Sequence, residues 1–138
     1  MPQDISQITT PSVLIKAKMA YTLWLTMIAT FPKIYRYTLG GRVEGYFLDL
    51  LELVFISIYL TPEQKVSKLS EAIAKLEGVK FFLQLSLENK CISKIKYLEL
   101  SQQLCEIGRM LYGWKKGLEK KLPSYKTGEN SKFRSTTR

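Results

Sequence analysis

The sequence contains no histidine and only two cysteines in 138 residues. The absence of histidine excludes Ser-His-Asp and Cys-His catalysis and histidine-ligated metal sites, and it removes the side chain that most often carries protons near neutral pH. Two cysteines alone cannot complete a zinc site or a dense disulfide framework. We expect Cys91 and Cys105 to be reduced thiols that pack as small apolar residues. Composition therefore indicates a protein that is not an enzyme and has no catalytic residues, metal or cofactor.

The sequence also lacks a long apolar run. The longest early uncharged stretch, from Met19 to Phe31, contains three threonines and is shorter than the roughly 20 residues that span a bilayer. The lysines before it, Lys16 and Lys18, come too late to form the basic start of a signal peptide. We therefore expect a cytoplasmic protein with no membrane partner.

Acidic residues are scarce relative to basic ones. The chain has 21 Lys and Arg against 12 Asp and Glu, for a formal charge of +9. Residues 1–108 hold 12 basic and 10 acidic side chains, whereas residues 109–138 hold 9 basic and 2 acidic ones, so the excess is concentrated near one end. With 46% hydrophobic residues the chain can build one core, and its charge favours an anionic partner.

Apolar residues recur every three or four positions in four segments, which predicts four helices. The predicted helices run from Ser12 to Phe31, from Thr38 to Leu60, from Pro62 to Glu88, and from Ser93 to Gly117 or Leu122. The first ends before Pro32 because a residue that precedes proline disfavours helical geometry. The apolar stripes are formed by Val13, Ala17, Ala20, Trp24, Met27 and Phe31; by Val43, Phe47, Leu50, Val54 and Ile58; by Val66, Leu69, Ile73, Leu76, Leu83 and Leu87; and by Tyr97, Leu100, Leu104, Ile107, Leu111 and Trp114.

Local signals support the starts of three helices. Thr61, Pro62 and Gln64 fit the N-cap, the first helical position and the third position of a capping box. Thr38 is the predicted N-cap of the second helix, and Ser93 is the predicted start of the fourth.

Four helices with short connectors predict an all-α, up-down-up-down four-helix bundle over residues 12–122. An N-terminal arm (1–11) precedes it, and a basic tail (123–138) with few apolar residues is predicted to be disordered. The apolar stripes of the first two helices are wider than one bundle core requires. Ordinary apolar surface and a second buried face in an oligomer both explain this width.

Two carboxylates, Asp49 and Glu52, share a helix face at positions i and i+3. Acid–base chemistry would require that their environments split their pKa values. This spacing is common, so we interpret the pair as part of a solvated or salt-bridged face. Glu44 lies too far along the chain to complete a compact triad with them.

Three glycines, Gly40, Gly41 and Gly45, fall in the first turns of the second predicted helix. They lack the spacing of a phosphate-binding glycine loop. Each glycine in a helix interior costs about 1 kcal/mol relative to alanine, and close approach of a neighbouring backbone would explain that cost.

Two groups of basic residues are candidate binding sites. In the connector between the first two helices, Lys33 and Arg36 alternate with Tyr35 and Tyr37, and Arg42 follows on the second helix. Cations beside aromatic rings suit nucleic acid, because cations contact phosphates and rings stack on bases. A solvated loop with exposed tyrosines is the alternative interpretation.

The second basic group is denser and lies near the end of the fourth helix. It consists of Arg109, Lys115, Lys116, Lys120 and Lys121. Lys116 and Lys120 are at i and i+4, so they repel each other, and Glu119 offsets only part of that repulsion. An anionic partner would relieve it. Alternatively, basic residues at a helix end complement the macrodipole of their own helix, although this accounts for one or two lysines rather than the whole group.

Several short blocks, in their order along the chain, resemble a known family. The blocks are Phe31-Pro32-Lys33, Arg36, Leu39-Gly40-Gly41-Arg42-Val43, Leu50-Leu51-Glu52-Leu53, and Ser93, Tyr97 and Leu104 followed by Glu106-Ile107-Gly108-Arg109-Met110-Leu111-Tyr112-Gly113-Trp114. From about Val13 to Lys120 the chain resembles the accessory variability determinant (Avd) family of diversity-generating retroelements. The order of the Phe-Pro-basic, Leu-Gly-x-Arg and Glu-Ile-Gly-Arg-Met-Leu blocks is the specific part of the match.

The resemblance implies a four-helix bundle that assembles as a barrel-shaped homopentamer and has no catalytic activity of its own. It also implies basic surfaces that bind nucleic acid, RNA or DNA, and that bind the reverse transcriptase of the element. The implied function is support of mutagenic, adenine-directed copying of a template RNA into cDNA, which diversifies a target gene.

The resemblance also transfers to particular positions. The contacts to nucleic acid or to the reverse transcriptase are expected among Lys33, Arg36, Arg42, Arg109, Lys115 and Lys116, and the charge pattern adds Lys120 and Lys121. For Arg42 and Arg109, a structural role that ties helices together at subunit contacts remains equally open. We expect Trp114 to pack rather than to stack on a base. Tyr112 stands where the family more often has glycine.

Two other functions remain open. The first is a related four-helix protein encoded within intervening sequences of ribosomal RNA genes, which shares the bundle and the pentamer. The Leu-Gly-x-Arg and Glu-Ile-Gly-Arg-Met-Leu blocks favour the retroelement protein over this one. The second is a generic basic helical interaction module, which predicts weak nucleic-acid binding without steep salt dependence.

Overall fold

The computed structural model describes residues 10–122, and all regular secondary structure in that range is helical. The helices are α1 (Ser12–Ile28), α2 (Lys33–Arg36), α3 (Leu39–Ser57), α4 (Pro62–Glu88) and α5 (Lys94–Lys120). The four long helices confirm the predicted all-α bundle, and α2 is a single turn within the predicted connector. The predicted tail (123–138) and most of the predicted arm (1–11) lie outside the described residues.

Each long helix packs antiparallel to the next, and α5 returns to contact α1, so the predicted up-down-up-down order is confirmed. The contacts that show it run in opposite order along neighbouring helices. They are Ile28–Gly40 and Tyr21–Phe47 between α1 and α3, and Arg42–Phe82 and Asp49–Lys75 between α3 and α4. Between α4 and α5, Leu76 contacts Gly108 and Gln84 lines a cleft with Tyr97. Between α1 and α5, Val13 lines a cleft with Trp114 and Met27 lines another with Lys96.

The four predicted apolar stripes form the core. Every residue of the first stripe is buried, and Trp24 and Phe47 are the largest side chains with no exposed surface. In the other stripes, the residues at the ends are only partly buried, namely Ile58, Leu87, Tyr97 and Trp114. Each fully buried aliphatic or aromatic side chain contributes roughly 1.5–3 kcal/mol relative to an exposed one, so these stripes supply the main stabilisation.

Two helices end earlier than predicted. Helix α1 ends at Ile28 rather than Phe31, and the backbone N–H of Phe31 bonds to the carbonyl three residues back instead of four. Pro32 causes this tightening because it disfavours α-helical geometry at the residue before it. Helix α3 likewise ends at Ser57 rather than Leu60, with i to i+3 turns leading to Pro62. Phe31 is still buried, because the tightened turn directs it back to the core.

Two of the three residues that precede the later long helices cap them with a side-chain hydrogen bond. The Thr61 hydroxyl accepts from the Gln64 backbone N–H and the Gln64 side chain accepts from the Thr61 backbone, so the capping box is confirmed. Ser93 caps α5 by accepting from the Lys96 backbone N–H. Thr38 occupies the N-cap position of α3, but its hydroxyl donates to the Tyr35 carbonyl, so the predicted side-chain cap is wrong.

The three glycines of α3 have different surroundings. A Cβ on Gly40 would overlap the Ile28 side chain and contact Phe31, so close approach of α1 explains this glycine. Gly41 and Gly45 are exposed, and a Cβ at either would meet nothing within 4 Å. Packing within the chain therefore accounts for one of the three.

The two cysteines also differ. Cys91 is buried in the turn between α4 and α5, and burial raises the pKa of its thiol. Cys105 is exposed on α5, because the buried stripe of that helix passes through the neighbouring Leu104 and Ile107. The predicted packing role is confirmed for Cys91 and wrong for Cys105.

Candidate nucleic-acid interface

The antiparallel order separates the predicted basic residues into two groups. We call the end of the bundle that holds α2, the start of α3, the end of α4 and the start of α5 the connector end, and the opposite end the distal end. Lys33, Arg36 and Arg42 lie at the connector end. Lys116 follows Tyr97, at the start of α5, by 19 residues of helix, or roughly 28 Å along the axis. One compact patch does not hold all eight candidates.

Arg36 has a structural role at the connector end. Its guanidinium donates to the carbonyl oxygens of Phe31 at 3.2 Å and Ala29 at 3.4 Å, groups that the end of α1 leaves without helical partners. The Arg36 side chain is half-buried, whereas Lys33 on the same short helix is exposed. Of this pair, Lys33 is the residue whose charge is free to meet a ligand.

Arg42 is exposed and lies over an aromatic ring of the neighbouring helix. Its guanidinium carbon is 5.4 Å from the centroid of the Phe82 ring on α4. The contact joins α3 to α4 within the protomer, and a cation over a ring contributes about 0.5–1 kcal/mol at an exposed site. The role predicted for Arg42 at a subunit contact stays a prediction. The Arg42 side chain forms no hydrogen bond or ion pair within residues 10–122, so its N–H donors remain available.

Three lysines that sequence reasoning missed join the connector end. Lys90 and Lys96 line a cleft with Thr26 and Thr30 of α1, and Lys94 begins α5. The first turn of α5 has no acidic residue, so these cations add to the positive end of a helix dipole. Residues 29–42 and 86–97 together hold six basic side chains and one acidic one, Glu88. Nothing in the sequence pointed to this group, because its two segments are more than 40 residues apart along the chain and meet only in the fold.

At the distal end, Glu119 was predicted to offset part of the repulsion among the lysines, and it pairs with one of them. Lys115 forms an ion pair with Glu119 at 3.6 Å, and both side chains are about three-quarters buried. Lys116, Lys120 and Lys121 are exposed and form no ion pair with any described residue. The free positive charge of this group therefore belongs to those three lysines rather than to Lys115.

The remaining motif residues of α5 lie between these ends. Arg109 is exposed and has no hydrogen bond or ion pair within residues 10–122, so nothing in the protomer supports a structural tie there. Trp114 is partly buried against the core, which confirms its predicted packing role. The Tyr112 side chain is exposed.

The carboxylates serve the fold. Asp49 forms an ion pair with Lys75 at 3.2 Å, which confirms the predicted salt-bridged face, while Glu52 is exposed. Glu44, which sequence reasoning dismissed, accepts hydrogen bonds from Trp24 and Tyr21 of α1. Within residues 10–122, no three His, Cys, Asp or Glu side chains are grouped so as to hold a metal ion.

Apolar side chains remain exposed on α1 and α3, as the wide stripes predicted. They are Ile15, Met19 and Leu25 on α1, Leu48 and Phe55 on α3, and Tyr59 in the turn that follows α3. The rings of Phe55 and Tyr59 contact each other edge to face at 5.5 Å and line a groove of about 530 Å³ between the two helices. We call this the α1–α3 surface. None of the helices in the described range is both long and apolar enough to span a membrane.

A comparison with known protein families gives a match over most of the chain. The family model described as bAvd-like matches residues 14–118, which include the connector-end residues and most of α5. The chain matches none of the curated proteins.

Proposed function

The chain belongs to the bAvd-like family of bacterial accessory variability determinants, and from this premise we propose that it is a non-catalytic accessory protein of a diversity-generating retroelement. In this role it binds the element's reverse transcriptase and the template RNA or cDNA. It thereby supports mutagenic reverse transcription and diversification of a target gene.

The basic connector end carries this proposal. Six cations and one carboxylate occur in the two segments that meet there, beside the exposed rings of Tyr35 and Tyr37. The three free lysines at the distal end provide a second basic surface. Two separated basic surfaces on a rigid bundle are suited to holding a nucleic-acid strand and a protein partner at the same time.

The α1–α3 surface supports self-association, which we include in the proposal as a homopentamer. Six large apolar side chains of α1, α3 and the turn after α3 remain exposed in the protomer, and apolar exposure of this kind marks protein–protein contacts.

The DNA that flanks the gene tests the proposed context. We expect an adjacent reverse-transcriptase frame and a pair of near-repeats that differ mainly at adenines. The chain should then co-purify with that reverse transcriptase when the two are co-expressed. A ribosomal RNA gene on both sides would overturn the proposal in favour of the intervening-sequence protein.

Salt dependence tests the nucleic-acid role separately. We expect the log of the affinity for a single-stranded RNA to fall linearly with log salt, with a slope of about 0.7 for each phosphate contacted. Lys33→Gln combined with Lys94→Gln should lower the slope by about 1.4, whereas Lys68→Gln with Lys75→Gln, on α4 outside both basic groups, serves as the charge-matched control. Affinity independent of salt would leave only a generic helical module.

A further inference from the structure

A groove at the connector end is built differently from the rest of the basic surface. It lies where the α2–α3 junction meets the last turns of α4 and has a volume of about 540 Å³. Its lining residues are Tyr37, Thr38, Leu39, Gly41, Arg42 and Phe82. This volume falls within the range of small-molecule sites, and the walls combine aromatic rings, one cation and backbone.

The walls of the groove differ in how firmly they are held. Phe82 is fixed on α4 by stacking on Tyr46 at 5.8 Å and by an edge contact with Phe81 at 4.9 Å. The Arg42 guanidinium carbon lies 5.4 Å from the centroid of this ring, so the cation is held against Phe82. Tyr37 is 83% exposed, the highest value among the large apolar side chains of the described residues. The groove thus presents a cation held against a packed aromatic ring, together with the exposed ring of Tyr37.

The N–H donors of Arg42 are also available. Its side chain forms no hydrogen bond or ion pair within residues 10–122, although it lies at the mouth of a formed groove. Gly41 opens the same wall, because a Cβ at this position would meet nothing within 4 Å. A ligand that enters the groove can therefore contact the α3 backbone, the guanidinium plane and its donors together.

We propose that this groove binds one unpaired nucleobase of a single-stranded nucleic acid between Tyr37 and Arg42. Aromatic rings and guanidinium planes are the side chains on which splayed-out bases stack, and the Arg42 donors can reach a base edge or the adjacent phosphate. A paired base is already stacked within its duplex, so a base must be unpaired to enter. The inference rests on the proposed nucleic-acid role and deepens it, because it adds recognition of bases to recognition of phosphates.

The contribution of the bases to binding can be measured by comparing the affinities for two strands that carry the same number of phosphates. We would measure the affinity of the full chain, at one salt concentration, for a single-stranded RNA and for an abasic ribose-phosphate strand of equal length. Base stacking should make the RNA bind at least about fivefold more tightly than the abasic strand. A duplex of the same sequence should lose this advantage.

Two variants then locate the effect in the groove. Tyr37→Ala removes an exposed ring without changing charge, and we expect it to reduce the ratio of RNA to abasic affinity to near one, with Tyr37→Phe retaining the ratio. Gly41→Gln should fill the groove and reduce the ratio in the same way. Gly45→Gln is the matched control, since Gly45 is also an exposed glycine of α3 with open space around it but does not line the groove.

The outcomes separate this inference from the function on which it rests. Equal affinity of the wild-type chain for both strands, with normal salt dependence, would overturn the stacking groove and leave phosphate binding in place. Salt-independent or absent binding of both strands would overturn the nucleic-acid role itself. If Tyr37→Ala leaves the ratio unchanged and instead weakens co-purification of the reverse transcriptase, the groove is a protein-docking site and the inference is wrong.

Discussion

The indole N–H of Trp24 donates a 2.7 Å hydrogen bond to one carboxylate oxygen of Glu44, and the Tyr21 hydroxyl donates to the other oxygen. Trp24 has no exposed surface, so its N–H has no access to water. Glu44 on α3 thus accepts hydrogen bonds from two side chains of α1 and sets the register in which the two helices pack. Its function is structural, although its charge and its position on a helix gave no sign of this.

Removal of the Glu44 carboxylate should destabilise the bundle. We expect Glu44→Ala to lower the free energy of unfolding by about 1–3 kcal/mol, because the buried Trp24 N–H then lacks an acceptor. Glu44→Gln should cost less, since its amide oxygen still accepts one bond. Urea denaturation measures both, with the exposed Glu52→Ala on the same helix as a control expected to change stability by less than about 0.5 kcal/mol. Equal effects at the two positions would contradict the role of Glu44.

The same contact predicts a pH dependence. Burial, and secondarily the hydrogen bond to Glu44, raise the pKa of Tyr21 from 10.0 to about 12. Because the folded-state pKa exceeds the unfolded one, the stabilisation from this tyrosine is complete below pH 10 and is lost as the pH rises toward 12. The urea midpoint of the wild-type chain should therefore fall more between pH 9 and pH 11 than that of Tyr21→Phe, which cannot ionise. Parallel declines would show that Tyr21 titrates normally.

The sequence was sufficient for the helices and for most of the core. Each helix buries residues at a spacing of three and four, and this spacing is directly visible, as in the stripe from Val13 to Met27. Pro32 and the Thr61 capping box act on adjacent residues, so the joints were also predictable. The exact ends of α1 and α3 were not, because tight i to i+3 turns satisfy the last N–H groups without changing the apolar pattern.

The candidate site was less predictable because it depends on contacts between distant segments. Lys33 and Arg42 are close in sequence and were found, whereas Phe82 and Lys94 join them only through the antiparallel order of α3, α4 and α5. A count of charges also cannot distinguish Arg36 from Lys33. The Arg36 side chain donates to backbone carbonyls, whereas that of Lys33 is exposed. Such distinctions follow from where a side chain points, which periodicity does not specify.

Arg36 and Lys33 should therefore respond differently to substitution. We expect Arg36→Ala to reduce stability by about 1–3 kcal/mol, because it leaves the carbonyls of Ala29 and Phe31 without their charged donor. Lys33→Ala should leave the urea midpoint unchanged and weaken RNA binding at low salt. The two measurements together form the test, and a stability loss at Lys33 with none at Arg36 would reverse the assignment.

Release of Lys115 from its ion pair should strengthen binding at the distal end. Glu119→Gln removes the carboxylate that pairs with Lys115, so a fourth free cation joins Lys116, Lys120 and Lys121. If this group contacts RNA, the slope of log affinity against log salt should steepen by about 0.7. Glu71→Gln is the control, because it removes the same charge from the Lys68 ion pair on α4. An identical change in both variants would attribute the effect to net charge alone and exclude a local distal contact.

The α1–α3 surface should determine the oligomeric state. We expect the wild-type chain to sediment as a homopentamer and Phe55→Glu to dissociate it, because the new charge would be buried without a partner in the subunit contact. The helix content by circular dichroism should not change, since Phe55 is half exposed in the protomer. Ile95→Glu, at a more exposed apolar residue on α5, is the control that should leave the assembly intact. A pentamer that survives Phe55→Glu but dissociates with Ile95→Glu would place the subunit contact on α5, leaving the exposed apolar residues of α1 and α3 as ordinary surface.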